Sequence, residues 1–114
     1  MSEEMQEFKA FDIEGALARV GGNKDLYRKI LGMFVKKYEN TGVELEQLVS
    51  AGNMEEAHAL AHTIKGVAGN IGAMDLFEAA KVLNVSLAKG DHTAEQLKAF
   101  KTALIWSIKA AQEI

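Results

Sequence analysis

Apolar residues return at helical spacing along almost the whole chain. Ile13, Leu17 and Val20 share one side of a short stretch that Asp12 can cap and Gly21-Gly22 can end, which predicts a short helix over 12–20. Asn23 is placed to cap a second helix whose apolar positions are Leu26, Ile30, Leu31, Phe34, Tyr38, Leu45, Leu48 and Val49. The phase carries through Asn40-Thr41-Gly42, which otherwise looks like a turn. A loop is expected to break phase, so the pattern predicts one helix over 24–50, about 40 Å long. Two helices meeting near Gly42 is the rival reading. Gly52 closes that helix, and Asn53 with Glu56 at N3 opens the next in a capping-box-like arrangement, over 53–71. Leu76, Phe77, Ala80, Leu83 and Leu87 point one way along 74–89. After the Gly90-Asp91-His92 turn, Thr93 and Gln96 form a capping box for a helix over 93–112, where Leu97, Phe100, Leu104, Ile108 and Ala111 align.

Four amphipathic helices with short links predict an all-α fold, an antiparallel up-down-up-down four-helix bundle. The 12–20 helix is too short to be a principal member and is expected to lie across one end as a cap. Residues 1–10 read as a flexible N-terminus, with Phe8 and Phe11 as anchors onto the body. Trp106 falls almost opposite its helix's apolar stripe and is expected to be partly buried against the short helix.

Composition narrows the classes. The 114 residues are enough for one core and one domain, spanning 1–114. The absence of proline favours long uninterrupted helices, and the absence of cysteine excludes disulfides, thiolate metal sites and thiol catalysis. No apolar run approaches the ~18 residues of a membrane span, and Met-Ser-Glu-Glu-Met-Gln-Glu is acidic where a signal peptide is basic, so a cytoplasmic location is the default and no membrane partner is expected. A net charge of −3, with Lys36-Lys37 the one adjacent lysine pair, argues against nucleic acid as partner.

The chemistry concentrates in residues 61–73. Wound at about 100° per residue, Leu60, Ile64, Val67 and Ile71 form an inward stripe, and His62 falls roughly 160–180° from its middle. Gly66 at i+4, Gly69 at i+7 and Ala73 at i+11 leave the His62 face nearly bare. Each helix-interior glycine costs about 0.8–1 kcal/mol relative to alanine, so two on one outward face suggest close approach by another surface. Tight packing inside the bundle is the competing account of the glycines, and their angle away from the inward stripe speaks against it. Lys65 at i+3 is the one long side chain close by. A surface histidine alone means little. An exposed imidazole beside a cation suits a group that carries negative charge, such as a phosphoryl group.

His62-Thr63-Ile64-Lys65-Gly66, followed by Ala68, Gly69 and Ile71-Gly72, resembles the signature of the histidine-containing phosphotransfer (HPt) domains of two-component phosphorelays. Val67 departs mildly from the small residue usual there. The upstream Asp12-Ile13-Glu14 helix start and the Gly-Gly-Asn turn fit the same family. The resemblance implies a relay intermediate that takes a phosphoryl group onto His62 from a receiver-domain aspartate and passes it to another. The receivers would belong to response regulators or hybrid sensor histidine kinases and would supply Mg²⁺ and the catalytic residues. This chain would then be a monomer, would need no cofactor of its own, and would not be an enzyme in its own right. The same resemblance implies that Lys65 helps neutralise the phosphoryl group, and that Asn84 hydrogen-bonds and orients the imidazole; a plain interfacial amide is an equal reading of Asn84. His58, one turn before His62, is expected at the rim of the docking face, and His58, Lys65, Asn70 and Lys81 are expected to set partner choice.

Three other classes compete. A substrate domain of a chemotaxis-type histidine kinase shares the fold and a similar motif but normally heads a much longer chain. Glu55, His58 and His62 spell Glu-x-x-His-x-x-x-His, which invites a metal, yet a di-iron bundle needs two Glu-x-x-His motifs with further inward glutamates. No metal site is therefore expected. A docking module without transfer activity is the third. Neither Gly-x-x-x-x-Gly-Lys-[Ser/Thr] nor Gly-x-Gly-x-x-Gly is present, so charging from ATP is not expected.

Overall fold

The computed structural model describes residues 11–114, and the expectations for 1–10, Phe8 included, lie outside the described residues. The described chain is all-helical: α1 (Ile13–Arg19), α2 (Lys24–Tyr38), α3 (Thr41–Ser50), α4 (Met54–Ile71), α5 (Met74–Lys89) and α6 (Ala94–Glu113). Side-chain caps start three of the six. Asp12 Oδ1 accepts from the Gly15 N–H at 3.0 Å and Asn23 Oδ1 from the Leu26 N–H at 3.1 Å. Thr93 Oγ1 accepts from the Gln96 N–H at 3.1 Å while Gln96 Oε1 accepts from the Thr93 N–H at 3.0 Å, a complete capping box. Asn53 differs from its sequence reading. Its Nδ2 donates to Glu56 Oε1, so the two side chains satisfy each other and not the first-turn N–H groups of α4.

The single helix expected over 24–50 is two. The Glu39 N–H still bonds the Val35 carbonyl at 3.1 Å, Asn40 then takes φ −104° and ψ 7°, and the ladder resumes where the Glu44 N–H meets the Asn40 carbonyl at 3.1 Å. Glu39 itself stays helical, so the interruption is local and the apolar phase survives it, with Phe34 and Leu45 both buried. Asn40, Thr41 and Gly42 are weak helix formers. Gly42 has a packing reason: a Cβ there would stand 3.3 Å from Lys101 Cγ, so the bare backbone lets α3 approach α6 closely.

α4 packs on α5, α5 on α6, α6 on α2 and α3, and α3 and α2 on α4, while α1 lies on α2 and α4. The shared core is Tyr27, Leu31 and Phe34 of α2, Leu45 of α3, Ile64 and Ile71 of α4, Leu76 and Leu83 of α5, and Phe100 and Leu104 of α6. Phe11 is half-buried against this core, and Trp106 is half-buried with the Lys109 ammonium 5.1 Å from its ring centre.

The C-terminal end of α4 is tied down by donors from elsewhere. A helix leaves its last carbonyls without intrahelical partners. Here Arg19 Nη1 donates to the Asn70 carbonyl at 3.3 Å, Tyr27 Oη to the Ile71 carbonyl at 2.7 Å, and the Asp12 N–H to the Gly72 carbonyl at 2.7 Å. Gly72 sits at φ +86°, and a Cβ there would lie 2.5 Å from the Asp12 carbonyl oxygen, so the junction of α1 with α4 requires glycine.

Candidate functional site

The inward face of α4 is Ala57, Ala61, Ile64, Ala68 and Ile71, all buried, with Leu60 and Val67 half-buried on one flank. That face is turned by part of a helical turn from the predicted Leu60–Ile64–Val67–Ile71 stripe. The three alanines, small enough for close helix packing, take the centre and push the larger residues to the edge.

His62 remains on the outward side and is exposed; Lys65, one turn on, is half-buried and makes no ion pair among the described residues. Gly66, a turn above His62, is exposed, and a Cβ added there would meet nothing within 4 Å. Imidazole, ammonium and bare backbone thus follow one another along a solvent-facing strip of α4. A neutral imidazole nitrogen on such a strip can attack an electrophilic phosphorus, and an ammonium beside it can pair with phosphate oxygens.

The remaining sequence-predicted residues divide. A Cβ on Gly69 would stand 3.3 Å from Cδ1 and 3.5 Å from Cε1 of Phe77, so its open space is filled by this chain's own α5. Its missing side chain serves helix packing, against the expectation that both glycines are bare to solvent. Phe77, predicted as inward core, lies half-buried over Gly69 at the edge of the His62 face. Nothing in its own helical position distinguishes it; the only signal was a glycine on the neighbouring helix. Ala73, counted at i+11 on the docking face, is 1% exposed and bridges to Phe11. The helical count fails there because α4 ends at Ile71 and Gly72 turns the chain.

His58 is half-buried, and Asn70 and Lys81 are exposed. Asn84 is buried, and its Nδ2 donates to the His58 backbone carbonyl at 3.1 Å. Of its two readings the interfacial amide is the one this bond matches, because its short side chain meets the carbonyl edge of α4 at the seam with α5 and not the His62 ring. No group of three His, Asp or Glu side chains comes together to hold a metal ion among the described residues, and no helix there is long and apolar enough to cross a membrane.

One titration is displaced beside the site. Burial pushes the Tyr27 hydroxyl above its ordinary range, the Asp12 carboxylate adds to this, and Arg19 opposes it. That hydroxyl holds the Ile71 carbonyl, so the displaced group belongs to the anchor of α4 and not to the exposed strip.

Neither the curated proteins nor the solved structures compared with the chain gave a match. A family profile described as Hpt domain matches residues 29–107, which is more than half of the chain and includes His62, Lys65, Gly66, Gly69 and Asn84. The chain therefore belongs to the Hpt domain family, the helical carriers that move phosphoryl groups on histidine in two-component signalling and work with receiver domains.

Proposed function

We propose that His62 is the phosphoacceptor of a phosphorelay intermediate. An imidazole nitrogen attacks the phosphorus of a receiver's aspartyl phosphate; the N–P bond forms, the acyl P–O bond breaks, and the aspartate leaves as carboxylate. The reverse chemistry on a second receiver discharges the phosphohistidine. Transfer of this kind rests on positioning and charge stabilisation more than on covalent machinery. Lys65 neutralises charge on the transferring group, and the receiver contributes Mg²⁺ and the remaining catalytic residues. Gly66 lets the receiver come close to the backbone of α4, with Gly69 and His58 at the edge of the same landing face.

The domain works as a monomer in the cytoplasm, as one unit over 1–114. Its scaffold is an antiparallel up-down-up-down four-helix bundle in which α2 and α3 act as one member and α1 caps an end. The circuit of packing from α4 through α5 and α6 back to α2 and α3 supports that arrangement.

The observation that carries the reading is the pairing of an exposed His62 with an open Gly66 one turn away on a helix whose end is anchored. The test is phosphoryl transfer from a phosphorylated receiver, or from a small phosphoramidate, to this protein and to His62→Gln. Acid-labile, base-stable label on the first and none on the second is the expected result. Folded wild-type protein that stays unlabelled by every receiver tried and by the small donor would sink the proposal.

A further inference from the structure

Asn84 is one of few polar side chains inside the fold, at 9% exposure on the face of α5 that meets α4. Its amide donates to the His58 carbonyl, and that carbonyl lies within α4, four residues before His62. It is therefore the acceptor toward which the helical ladder directs the His62 N–H. A carbonyl has two lone pairs and can take both bonds, but it does not need the second one to be satisfied. Burying an amide costs free energy, and serving an acceptor that is already served returns little of it. Stability is a poor account of this residue.

What Asn84 does fix is the turn of α4 that carries His62. On α5, one and two turns before Asn84, stand Lys81 and Phe77, and Phe77 lies against Gly69, about 10 Å along α4 from His62. The seam thus has a polar lock on one side of His62 and a ring-on-glycine contact on the other. We infer that Asn84 is a positioning residue for His62: by tying the His58 carbonyl to α5, it holds the phosphoacceptor's turn in register with the α5 flank. A receiver then meets both helices as one rigid surface. Asn84 acts through the backbone, not through the imidazole. The inference rests on the relay reading of His62.

The discriminating variant is Asn84→Leu in the full chain, which keeps approximate size, removes the donor, and leaves the His58 carbonyl its ladder bond. Three quantities are compared with wild type: the melting midpoint, labelling by a small phosphoramidate, and single-turnover transfer from a phosphorylated receiver over a range of receiver concentrations. A small donor needs only a competent imidazole, whereas a receiver needs an aligned one, and a misplacement of about 1 Å can cost up to ~100-fold. The expected result is an unmoved or raised midpoint and phosphoramidate labelling within about twofold. The maximal receiver transfer rate should fall at least about tenfold at an unchanged half-saturating concentration. An unchanged receiver rate overturns the inference. So does a variant that fails to fold, or one in which midpoint and both kinds of labelling fall together, since Asn84 would then be supporting the fold and nothing more. Failure of the relay reading looks different, because wild-type protein would then take no label from either donor.

Discussion

Gly66→Ala is expected to make the fold more stable and the relay slower. Gly66 lies well inside α4, where glycine costs about 0.8–1 kcal/mol relative to alanine through backbone entropy. An added Cβ would meet nothing within 4 Å, so no steric term offsets that gain. The fold should gain about 1 kcal/mol, which for a domain of this size raises the melting midpoint by about 3–6 °C. Gly69→Ala is the internal control. It has the same propensity gain, but its Cβ would press on the Phe77 ring at 3.3 Å, and overpacking of a closed site costs about 1–3 kcal/mol. The half-buried ring can yield by a few tenths of an ångström, so the two terms should cancel to within about 1 kcal/mol and the midpoint should rise less than for Gly66→Ala.

The functional half follows from position. Residues at i and i+4 are neighbours on a helix surface, so a methyl group at Gly66 stands beside the His62 imidazole where a receiver must come close. Transfer from a phosphorylated receiver should slow about tenfold or more, while labelling by a small phosphoramidate stays within about twofold. Thermal and urea unfolding measure the first half, and single-turnover phosphotransfer with each donor measures the second. A destabilised Gly66→Ala protein would refute the open-face geometry. A stabilised protein with undiminished receiver transfer would refute the landing-face assignment while leaving the geometry intact.

Three further outcomes are expected from the anchors of α4 and from one cap. Tyr27→Phe removes the buried bond to the Ile71 carbonyl and should cost about 1–2 kcal/mol in urea unfolding. Because burial favours the neutral phenol, its contribution is complete below the ordinary tyrosine value of 10.0 and is lost as pH rises through the higher folded value. The phenylalanine variant should therefore lose less stability between about pH 9 and pH 11 than wild type does. Gly72→Ala meets both a left-handed backbone and the Asp12 carbonyl oxygen and should cost at least ~2 kcal/mol, a midpoint fall of several degrees; a neutral result would mean that the α1–α4 junction rearranges freely. Thr93→Ala opens the capping box of α6 and should cost about 1 kcal/mol by the same unfolding assay, with phosphoramidate labelling unchanged.

Features that depend on one helix alone were readable from the chain. The caps at Asp12, Asn23 and Thr93–Gln96 need only residues three positions apart, and the outward direction of His62 needs only the apolar period of α4. What escaped depends on a second element or on a single dihedral. The break at Asn40 leaves the apolar phase intact, so a periodicity argument has nothing to detect. The inward face of α4 was misplaced because Ala57, Ala61 and Ala68 look neutral in a pattern of large apolar residues, although small residues are what let helices pack closely. For Asn84 the sequence leaves a ring partner and an interfacial amide on equal terms, because the partner it has is a carbonyl, an atom that every residue has and no sequence pattern marks.

Gly66 and Gly69 show the same limit in its sharpest form. Three residues apart on one helix, they are identical in propensity and close in angle, yet one faces open space and the other the ring of Phe77. Only the position of α5 separates them. That position is marked by Asn84 on the His58 carbonyl before His62 and by Phe77 on Gly69 after it, while Arg19, Tyr27 and Asp12 hold the carbonyls of residues 70–72 at the end of α4. Between them His62, Thr63 and Gly66 are exposed, while Ile64 fastens the same stretch to the core. A nucleophile that must be reached by a large partner cannot be shielded by its own fold, so its rigidity has to be supplied from either side and from beneath. The distribution of contacts along α4 meets that requirement, with the polar anchors at the ends and the glycine in the middle.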